Sequence, residues 1–396
     1  MKRITVFLLA MAMFLAIVLP VFATNTPPDD NAYVLTSASF SAEGIDATSA
    51  ILIEQGTGRV LFEYNADAPL PPASVTKTMT MLLVLEAIDD GRIKLDDMVS
   101  VSRNAASMGG SQVFLEAGEQ MSVDTLLKCM VVASANDAAV ALAEHISGSE
   151  ASFVARMNER AQELGCTASN FENATGLDDT VQNHVMSARD IAKISAEIMK
   201  HPKIKDYTTI WMDTIRDGAF GLTNTSRLIR FYDGATGLKT GSTAKAKFCI
   251  SATAERGGLS LIAVIMGSST RDARNELAKN LLDFGFANFA AVSYGGADAG
   301  SVAVKGGVYP SVAAKRLPFS AIVDKADAGK VEESVEMAQS VTAPVKAGDK
   351  LGTVTYRVGD KIVGTSDIVA AENDAKISYF TLLPKIFRWF IIAPES

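Results

Sequence analysis

The first sustained apolar pattern after the N-terminal region predicts a β-hairpin. Residues 50–54 (Ala-Ile-Leu-Ile-Glu) and 60–64 (Val-Leu-Phe-Glu-Tyr) flank Gly56-Thr57-Gly58. Short apolar runs around a glycine-containing turn are typical of two paired strands. The hairpin is therefore expected to begin the folded part of the chain.

The period of the apolar residues then changes to that of a helix. From Thr76 to Asp89 apolar side chains recur at helical spacing until Gly91, which predicts a helix with Ser74 at its N-terminus. The same period predicts four further helices, at residues 123–132, 137–146, 151–164 and 187–199. Helices are thus expected to fill the middle of the chain.

Strand patterns return in the second half. Residues 247–253 and 259–266 are apolar runs joined across Arg256-Gly257-Gly258. From about residue 290 the chain is rich in short valine-containing runs such as 301–304, and 351–358 turns through Gly359-Asp360 into 361–363. The predicted fold class is α/β (α+β). A large domain, 41–289, has an antiparallel sheet built from both of its ends with a helical insertion between them, and a small β-rich domain, 290–378, follows it.

The two ends of the chain carry segments of another kind. Lys2 and Arg3 precede an apolar run from Ile4 to Val18, and Val21-Phe22-Ala23 has small residues where a signal peptidase reads. We therefore expect a signal peptide at 1–23, a polar leader at 24–40 and export from the cytoplasm, with an uncleaved anchor as the alternative.

The last segment, 379–396, predicts an amphipathic helix. Lys385 and Arg388 share one helical face, and aromatic or aliphatic residues cover the rest. A membrane span needs roughly 20 apolar residues, so this segment is expected to lie on the membrane surface. Packing against the β-rich domain is the alternative.

Composition excludes several classes of function. The 37 basic against 45 acidic residues give a net charge of -8, which disfavours a nucleic-acid partner. Three cysteines and three histidines are widely spaced and form no ligand or disulfide pattern. We therefore expect neither a metal site nor a cofactor.

The first candidate for chemistry is Ser74-Val75-Thr76-Lys77. A serine hydroxyl is a weak nucleophile that needs an adjacent base, and residues three apart lie on one face of a helix. Alone this spacing is weak evidence, since it recurs at Ser242 and Lys245. The alternative for Ser74 is a helix N-cap beside a surface lysine.

Two further motifs strengthen the catalytic interpretation. Ser134-Ala135-Asn136 lies at a break between two predicted helices, and Lys239-Thr240-Gly241 lies at the entrance of a predicted strand. Taken separately, the first could cap a helix and the second could be a surface turn. Their order and context, however, are those of the active-site serine penicillin-recognising enzymes, in which three such motifs form one site.

Over almost its whole length the chain resembles the D-alanyl-D-alanine carboxypeptidases among the low-molecular-mass penicillin-binding proteins. Besides the three motifs, the resemblance rests on Pro71-Pro72-Ala73-Ser74, Gly109-Gly110-Ser111, Phe114 to Gly118, Ser134 to Ala138, Asn173 to Leu177, His184 to Asp190 and Gly237 to Gly241. Two departures are small: Ala135 stands where glycine is common, and Ala246-Lys247-Phe248 replaces a more usual Ala-Gly-Tyr.

The resemblance implies a role for each residue of the first two motifs. Ser74 would attack the carbonyl between two terminal D-alanines and form an acyl enzyme, with Lys77 as its base. Ser134 would relay a proton to the leaving amine. Asn136 would orient Lys77 and the substrate, and the backbone N–H groups of Ser74 and Ser242 would hold the oxyanion.

The resemblance also implies how the substrate is recognised. Lys239 would lower the pKa of Lys77 and, with Thr240, bind the C-terminal carboxylate, next to Gly241 and Ser242. Arg274 is the expected carboxylate-side arginine, with Arg271 as the second choice and a solvated helix charge as the alternative for Arg274. The expected substrates are peptidoglycan stem peptides ending in D-Ala-D-Ala, and β-lactams are expected to be covalent inhibitors.

Other functions are judged by the residues they need. A Ser-His-Asp hydrolase with a nucleophile elbow is excluded because the chain has no GxSxG. A class A β-lactamase would need a glutamate segment after Ser134, which is missing. A non-catalytic cell-wall sensor would not need a nucleophile with its base, whereas an endopeptidase or transpeptidase stays open.

Overall fold

The computed structural model describes residues 32–36, 39–179 and 181–391, without the side chains of 385 and 388–391. The expected signal peptide and most of the leader lie outside the described residues. Ten helices are described: α1 (Lys77–Asp89), α2 (Arg103–Ala106), α3 (Val123–Val132), α4 (Asn136–Ser147), α5 (Glu150–Glu163), α6 (Ala188–Ile198), α7 (Lys205–Thr208), α8 (Leu228–Phe231), α9 (Arg271–Asn288) and α10 (Tyr379–Ile391).

Nine described strands belong to the N-terminal part of the chain: β1 (Ser49–Glu54), β2 (Val60–Tyr64), β3 (Met98–Ser100), β4 (Gln120–Ser122), β5 (Met212–Ile215), β6 (Phe220–Thr223), β7 (Ala235–Thr243), β8 (Lys247–Arg256) and β9 (Leu259–Ser268). Eight follow: β10 (Phe289–Tyr294), β11 (Asp298–Lys305), β12 (Ser311–Arg316), β13 (Phe319–Asp324), β14 (Val331–Met337), β15 (Ser340–Thr342), β16 (Lys350–Val358) and β17 (Lys361–Ala370).

A five-stranded antiparallel sheet with the order β2-β1-β9-β8-β7 organises the first domain. Side chains alternate between its faces. Ile51 and Val264 pack against the helical insertion, whereas Leu52 and Ile265 pack against α9. The predicted fold class, with strands from both ends and helices between them, is confirmed.

The five predicted long helices are confirmed, with bounds that differ by at most one residue. Besides several short helices and strands, two long elements of this domain were not given bounds by the sequence prediction. The strand β7 contains Gly237 and Gly241 and has no regular apolar alternation, which hides it in the sequence. Because β7 runs from Ala235 to Thr243, Lys239-Thr240-Gly241 lies inside a strand and not at its entrance. The helix α9 has a charged first turn that obscures its apolar face.

The second domain is built from β-strands, as predicted. Its six-stranded sheet has the order β14-β16-β17-β12-β11-β15, and β10 pairs with β13. The predicted hairpin of β16 and β17 is present, and its second strand is longer than expected. Phe319 stacks on the buried Tyr356 with ring centroids 4.1 Å apart.

The terminal segment forms the helix α10, which contains Pro384. Phe380 and Phe387 are exposed on it. No helix among the residues that the structure describes is long and apolar enough to cross a membrane.

Candidate active site

Ser74 and Lys77 face each other at the start of α1. Ser74 belongs to a single 3-10 turn, Ala73–Thr76, and Lys77 begins the α-helix. The Nζ atom of Lys77 lies 3.0 Å from the Oγ atom of Ser74. Because the Lys77 side chain is 0% exposed, the alternative of a capping serine beside a surface lysine does not describe this site.

The Lys77 amine has two further partners. Nζ lies 2.5 Å from Oδ1 of Asn136 and 3.0 Å from the carbonyl oxygen of Thr175. A neutral amine has two N–H bonds and one lone pair. If both N–H bonds point to these acceptors, the lone pair is directed at the Ser74 hydroxyl, which is the arrangement that a base requires.

Burial and a second cation favour the neutral form of the Lys77 amine. Burial lowers the pKa of Lys77 well below its ordinary value, the Lys239 charge lowers it further, and the Asp137 carboxylate opposes both. Burial, helped by Arg274, also lowers the pKa of Lys239 to about 7.

Ser134 and Asn136 occupy the break between α3 and α4. Ser134 lines the cleft with a left-handed backbone φ of 62°, a conformation that is uncommon away from glycine and concentrates at functional sites. Asn136 does not cap α4, because its Nδ2 donates to the Gly109 carbonyl at 2.7 Å while its Oδ1 accepts from Lys77.

The edge strand β7 lies directly beside the serine turn. A Cβ atom added to Gly241 would lie 2.9 Å from the backbone nitrogen of Ser74, so only glycine fits there. Alternate backbone groups of an edge strand are not used by its neighbour. As the edge of the sheet, β7 can therefore offer such backbone groups to a ligand beside Ser74.

Two further side chains of β7, those of Thr240 and Lys239, form hydrogen bonds beside the cleft. Thr240 Oγ1 donates to Thr225 Oγ1 at 2.8 Å. Lys239, 1% exposed, donates to the carbonyl of Thr240 at 2.8 Å. The pattern of the sequence indicated Lys239 and Thr240 but gave no signal for Thr225.

Arg274 reaches the same cleft from α9. It is 3% exposed and donates to the Cys249 carbonyl and to Asn275, so the alternative of a solvated helix charge is wrong. Burial lowers its pKa to about 10, with Arg271 contributing. Arg271 is exposed and also lines the cleft.

The cleft has a volume of about 660 Å³. Its lining residues include Ser74, Ser134, Thr240, Gly241, Ser242 and Arg274 from the sequence prediction, and Ser111, Trp211, Arg227 and Phe231, which were not predicted. No group of three or more potential metal ligands occurs among the described residues.

Asp137 is a further buried residue that sequence reasoning missed. Its carboxylate accepts backbone hydrogen bonds from Val113, Leu115 and Ala138. These bonds hold the loop that carries Ser111 against the first turn of α4. Its sequence signals were its position directly after Asn136 and its place in the Ser134 to Ala138 run of the family resemblance.

His184 and Ser187 have structural roles. His184 accepts from the Glu172 N–H through Nδ1, so Nε2 carries the proton and donates to Thr76 Oγ1 at 2.7 Å. Burial lowers the pKa of His184 to about 4, which keeps the ring neutral. Ser187 caps α6 by accepting from the Asp190 N–H.

A family profile described as D-alanyl-D-alanine carboxypeptidase matches residues 36–270, more than half of the chain. The chain belongs to this family. A second profile, the C-terminal domain of penicillin-binding protein 5, matches residues 303–376. The resemblance inferred from the motifs is thereby confirmed.

Individual carboxypeptidases of the family are similar over most of the chain. The D-alanyl-D-alanine carboxypeptidase DacF of Bacillus subtilis is 41% identical over 347 residues, which cover 86% of this chain and 89% of that protein. DacC of Escherichia coli is 30% identical over 380 residues, covering 90% and 94%. The chain is accordingly a hydrolase of the serine-type D-Ala-D-Ala carboxypeptidase class.

Solved structures of penicillin-binding proteins show the same fold. Penicillin-binding protein 5 of Haemophilus influenzae superposes with a TM-score of 0.74 at 30% identity, covering 85% of this chain and 100% of that one. Penicillin-binding protein D2 of Listeria monocytogenes, solved in its ampicillin-bound form, gives 0.56 at 32% identity, covering 61% and 98%.

Proposed function

We propose that this carboxypeptidase removes the terminal D-alanine from peptidoglycan stem peptides through an acyl enzyme on Ser74. The observation that carries the proposal is the buried Lys77 amine 3.0 Å from the Ser74 hydroxyl. A purely structural serine would not need a desolvated lysine amine within hydrogen-bond distance of its hydroxyl.

In the proposed acylation, neutral Lys77 takes the proton of the Ser74 hydroxyl as Oγ bonds to the carbonyl carbon of the penultimate D-alanine. The C–N bond then breaks, and D-alanine leaves after its amine receives a proton through Ser134. Water hydrolyses the resulting ester, which returns Ser74 and releases the shortened peptide.

Two sets of polar groups support these steps. The backbone N–H groups of Ser74 and Ser242 stabilise the oxyanion, for which the close approach of Gly241 to the serine turn is the support. Asn136 holds Lys77 through Oδ1. Its Nδ2 is bonded to the Gly109 carbonyl, so Asn136 orients the base and bonds to substrate only if that contact opens.

The free carboxylate of the substrate is proposed to bind Thr240, Lys239 and Arg274. All three are on the cleft wall or directly behind it, and Arg274 forms no ion pair in the part of the chain that the structure describes. A buried arginine without an acid partner can still bind an incoming carboxylate.

The test combines intact-protein mass with product release. Wild-type protein is incubated with penicillin, and D-alanine is then assayed from a peptide that ends in D-Ala-D-Ala. We expect an adduct and D-alanine release, and neither in Ser74→Ala. An adduct without release would favour a sensor or another peptide substrate, and no adduct would refute the role of Ser74.

The endopeptidase alternative is tested with a cross-linked peptide dimer. Cleavage of the dimer faster than release of D-alanine from a monomer would assign the enzyme to endopeptidases. The catalytic residues cannot decide this, because both reactions use the same acyl enzyme.

We further propose that the protein works outside the cytoplasm at the membrane surface. The support is the exposed aromatic side chains Tyr379, Phe380 and Phe387 on α10, which would enter the lipid interface. Co-sedimentation with anionic lipid vesicles tests this, with the chain shortened after Ser378 as control. Equal sedimentation of both proteins would refute membrane attachment.

A further inference from the structure

The active-site cleft continues past the proposed carboxylate contacts. Thr225 touches Thr240, and the chain leads from there to Arg227, which lines the cleft together with Trp211 and Phe231. Arg227 and Phe231 also line an adjoining depression of about 400 Å³. The cleft thus offers far more room on the leaving-group side than a single D-alanine occupies.

This side of the cleft carries a concentrated positive charge. Arg271 lies one helical turn before Arg274, and Arg227 approaches from α8. Arg227, Arg271 and Arg274 all line the cleft, and the charges of the first two help burial to lower the pKa of Arg274. Like charges gathered around a cleft repel each other unless an anion joins them.

Few acidic groups offset these arginines. No carboxylate lines the cleft itself among the described residues, whereas Asp272 and Glu276 line the adjoining depression together with Lys279. Arg227 reaches Asp272 only at 3.9 Å between two largely exposed side chains, and Arg271 forms no ion pair within residues 32–36, 39–179 and 181–391. Arg227 and Arg271 therefore remain available to a ligand.

We propose that Arg227 and Arg271 form a second anionic subsite, which binds a carboxylate of the leaving group beyond the one held by Thr240 and Arg274. Trp211 and Phe231, with ring centroids 6.0 Å apart, provide its apolar wall. This inference rests on the proposed function, because the direction of the cleft follows from the carboxylate site.

The subsite defines a substrate class. The residue after the penultimate D-alanine is larger than alanine and carries a second carboxylate, as in peptides ending in D-Ala-D-Glu or in cross-linked peptides. The reaction is unchanged: Ser74 bonds to the D-alanyl carbonyl, the C–N bond breaks, and the amine of the larger residue leaves with the proton.

The experiment compares three synthetic peptides that end in D-Ala-D-Ala, D-Ala-D-Glu and D-Ala-D-Gln. The last two differ in one charge at nearly constant shape. We expect the wild-type kcat/KM to be about five-fold higher for D-Glu than for D-Gln at low salt, and the ratio to decrease as salt increases. In Arg227→Gln/Arg271→Gln the ratio should fall to about one.

Arg230→Gln is the matched control, because Arg230 is exposed on α8 but does not line the cleft. Its ratio should equal that of the wild type. Penicillin adduct formation shows that each variant is folded.

Three outcomes would overturn the inference. Equal cleavage of the D-Glu and D-Gln peptides by the wild type, while D-alanine is still released, would remove the second subsite and leave the proposed function intact. A double variant that loses all three peptides equally would assign both arginines to the first carboxylate. No cleavage of the D-Ala-D-Ala peptide would refute the proposed function, and the inference with it.

Discussion

The amine of Lys77 is fixed between three oxygen atoms, and one of them is the hydroxyl of Ser74 at 3.0 Å. Asn136 and Thr175 supply the other two. Lysine could contribute here in two ways, through its positive charge or through its ability to accept a proton. Arginine keeps the first and lacks the second.

Lys77→Arg should therefore abolish penicillin acylation even though it keeps the positive charge. We expect the rate of adduct formation, followed by intact mass, to fall at least about 1000-fold, since the nucleophile loses its base. Lys245→Arg is the matched control. Lys245 belongs to the second Ser-x-x-Lys of the chain but is exposed, and its variant should acylate at the wild-type rate. Rapid acylation of Lys77→Arg would show that another group is the base.

Asp137 links the loop at Ser111 to the charge balance at Lys77. Its carboxylate accepts three backbone N–H groups and raises the pKa of Lys77 against burial and Lys239. In Asp137→Asn one carboxylate oxygen becomes an NH₂ group, which cannot accept, while the remaining amide oxygen still can. At least one buried backbone N–H therefore loses its partner, and we expect a loss of about 1–3 kcal/mol in the free energy of unfolding.

The same variant should change the pH profile. Without the Asp137 charge the pKa of Lys77 falls further, so the neutral base persists to lower pH and the acid limb of kcat/KM moves to lower pH. Asp213→Asn, which removes a carboxylate paired with Lys128 on a half-exposed surface, should leave the limb in place. An acid limb that stays at the wild-type pH in Asp137→Asn would contradict this electrostatic role.

The sequence predicts the residues of this site that carry reactive groups better than the residues that position those groups. Ser74, Lys77, Ser134 and Lys239 could be found because their chemistry restricts the residue type and their spacing follows from a helix or strand. The backbone carbonyl of Thr175 could not be found, because any residue supplies a carbonyl. Arg227 was also not found, since only the folding of α8 against β7 brings it to the cleft.

The fold shows the same distinction. Amphipathic helices such as α6 were predicted because their apolar residues recur with one clear period. The bounds of the edge strand β7 were missed because its composition serves the site: Gly241 allows close approach to the serine turn, and Thr240 lines the cleft. Local rules of sequence are expected to fail where a segment is adapted to chemistry.

Lys239 should reduce the stability of the protein. Its pKa is lowered from 10.5 to about 7, chiefly by burial. Between these pH values the unfolded chain binds a proton that the folded chain does not, so stability rises with pH across this window and is lowest near and below pH 7. Replacing the buried ammonium by an apolar side chain of similar length removes this cost.

Lys239→Met is expected to increase the free energy of unfolding by about 1–3 kcal/mol at pH 6.5 while abolishing D-alanine release. The increase in the free energy of unfolding should become smaller as the pH approaches 10.5. Thermal unfolding at pH 6.5 and at pH 10 measures it. Lys245→Met, at an exposed position, should change stability by less than about 0.5 kcal/mol. A Lys239→Met protein that is less stable at pH 6.5 would mean that the Lys239 contacts outweigh its desolvation.

Gly241 sets the distance between β7 and the nucleophile. A Cβ atom at this position would meet the backbone of Pro72, Ser74 and Val75 at 2.9 Å each, and backbone atoms cannot rotate away as the end of a side chain can. Gly241→Ala must therefore separate the strand from the serine turn. Because a displacement of 1 Å can cost about 100-fold in rate, we expect at least that loss in penicillin acylation.

The control for this variant is Gly221→Ala on β6, where an added Cβ atom meets nothing within 4 Å. It should acylate at the wild-type rate. In Gly241→Ala we expect a large loss in the rate of acylation and only a small loss of stability, because the strand can shift outwards at the edge of the sheet. If Gly241→Ala acylates normally, then the backbone of β7 does not need to contact the serine turn, and the proposed oxyanion donor at Ser242 is wrong. If acylation is lost while the melting temperature stays within a few degrees, the contact between β7 and Ser74 is catalytic geometry and not merely packing.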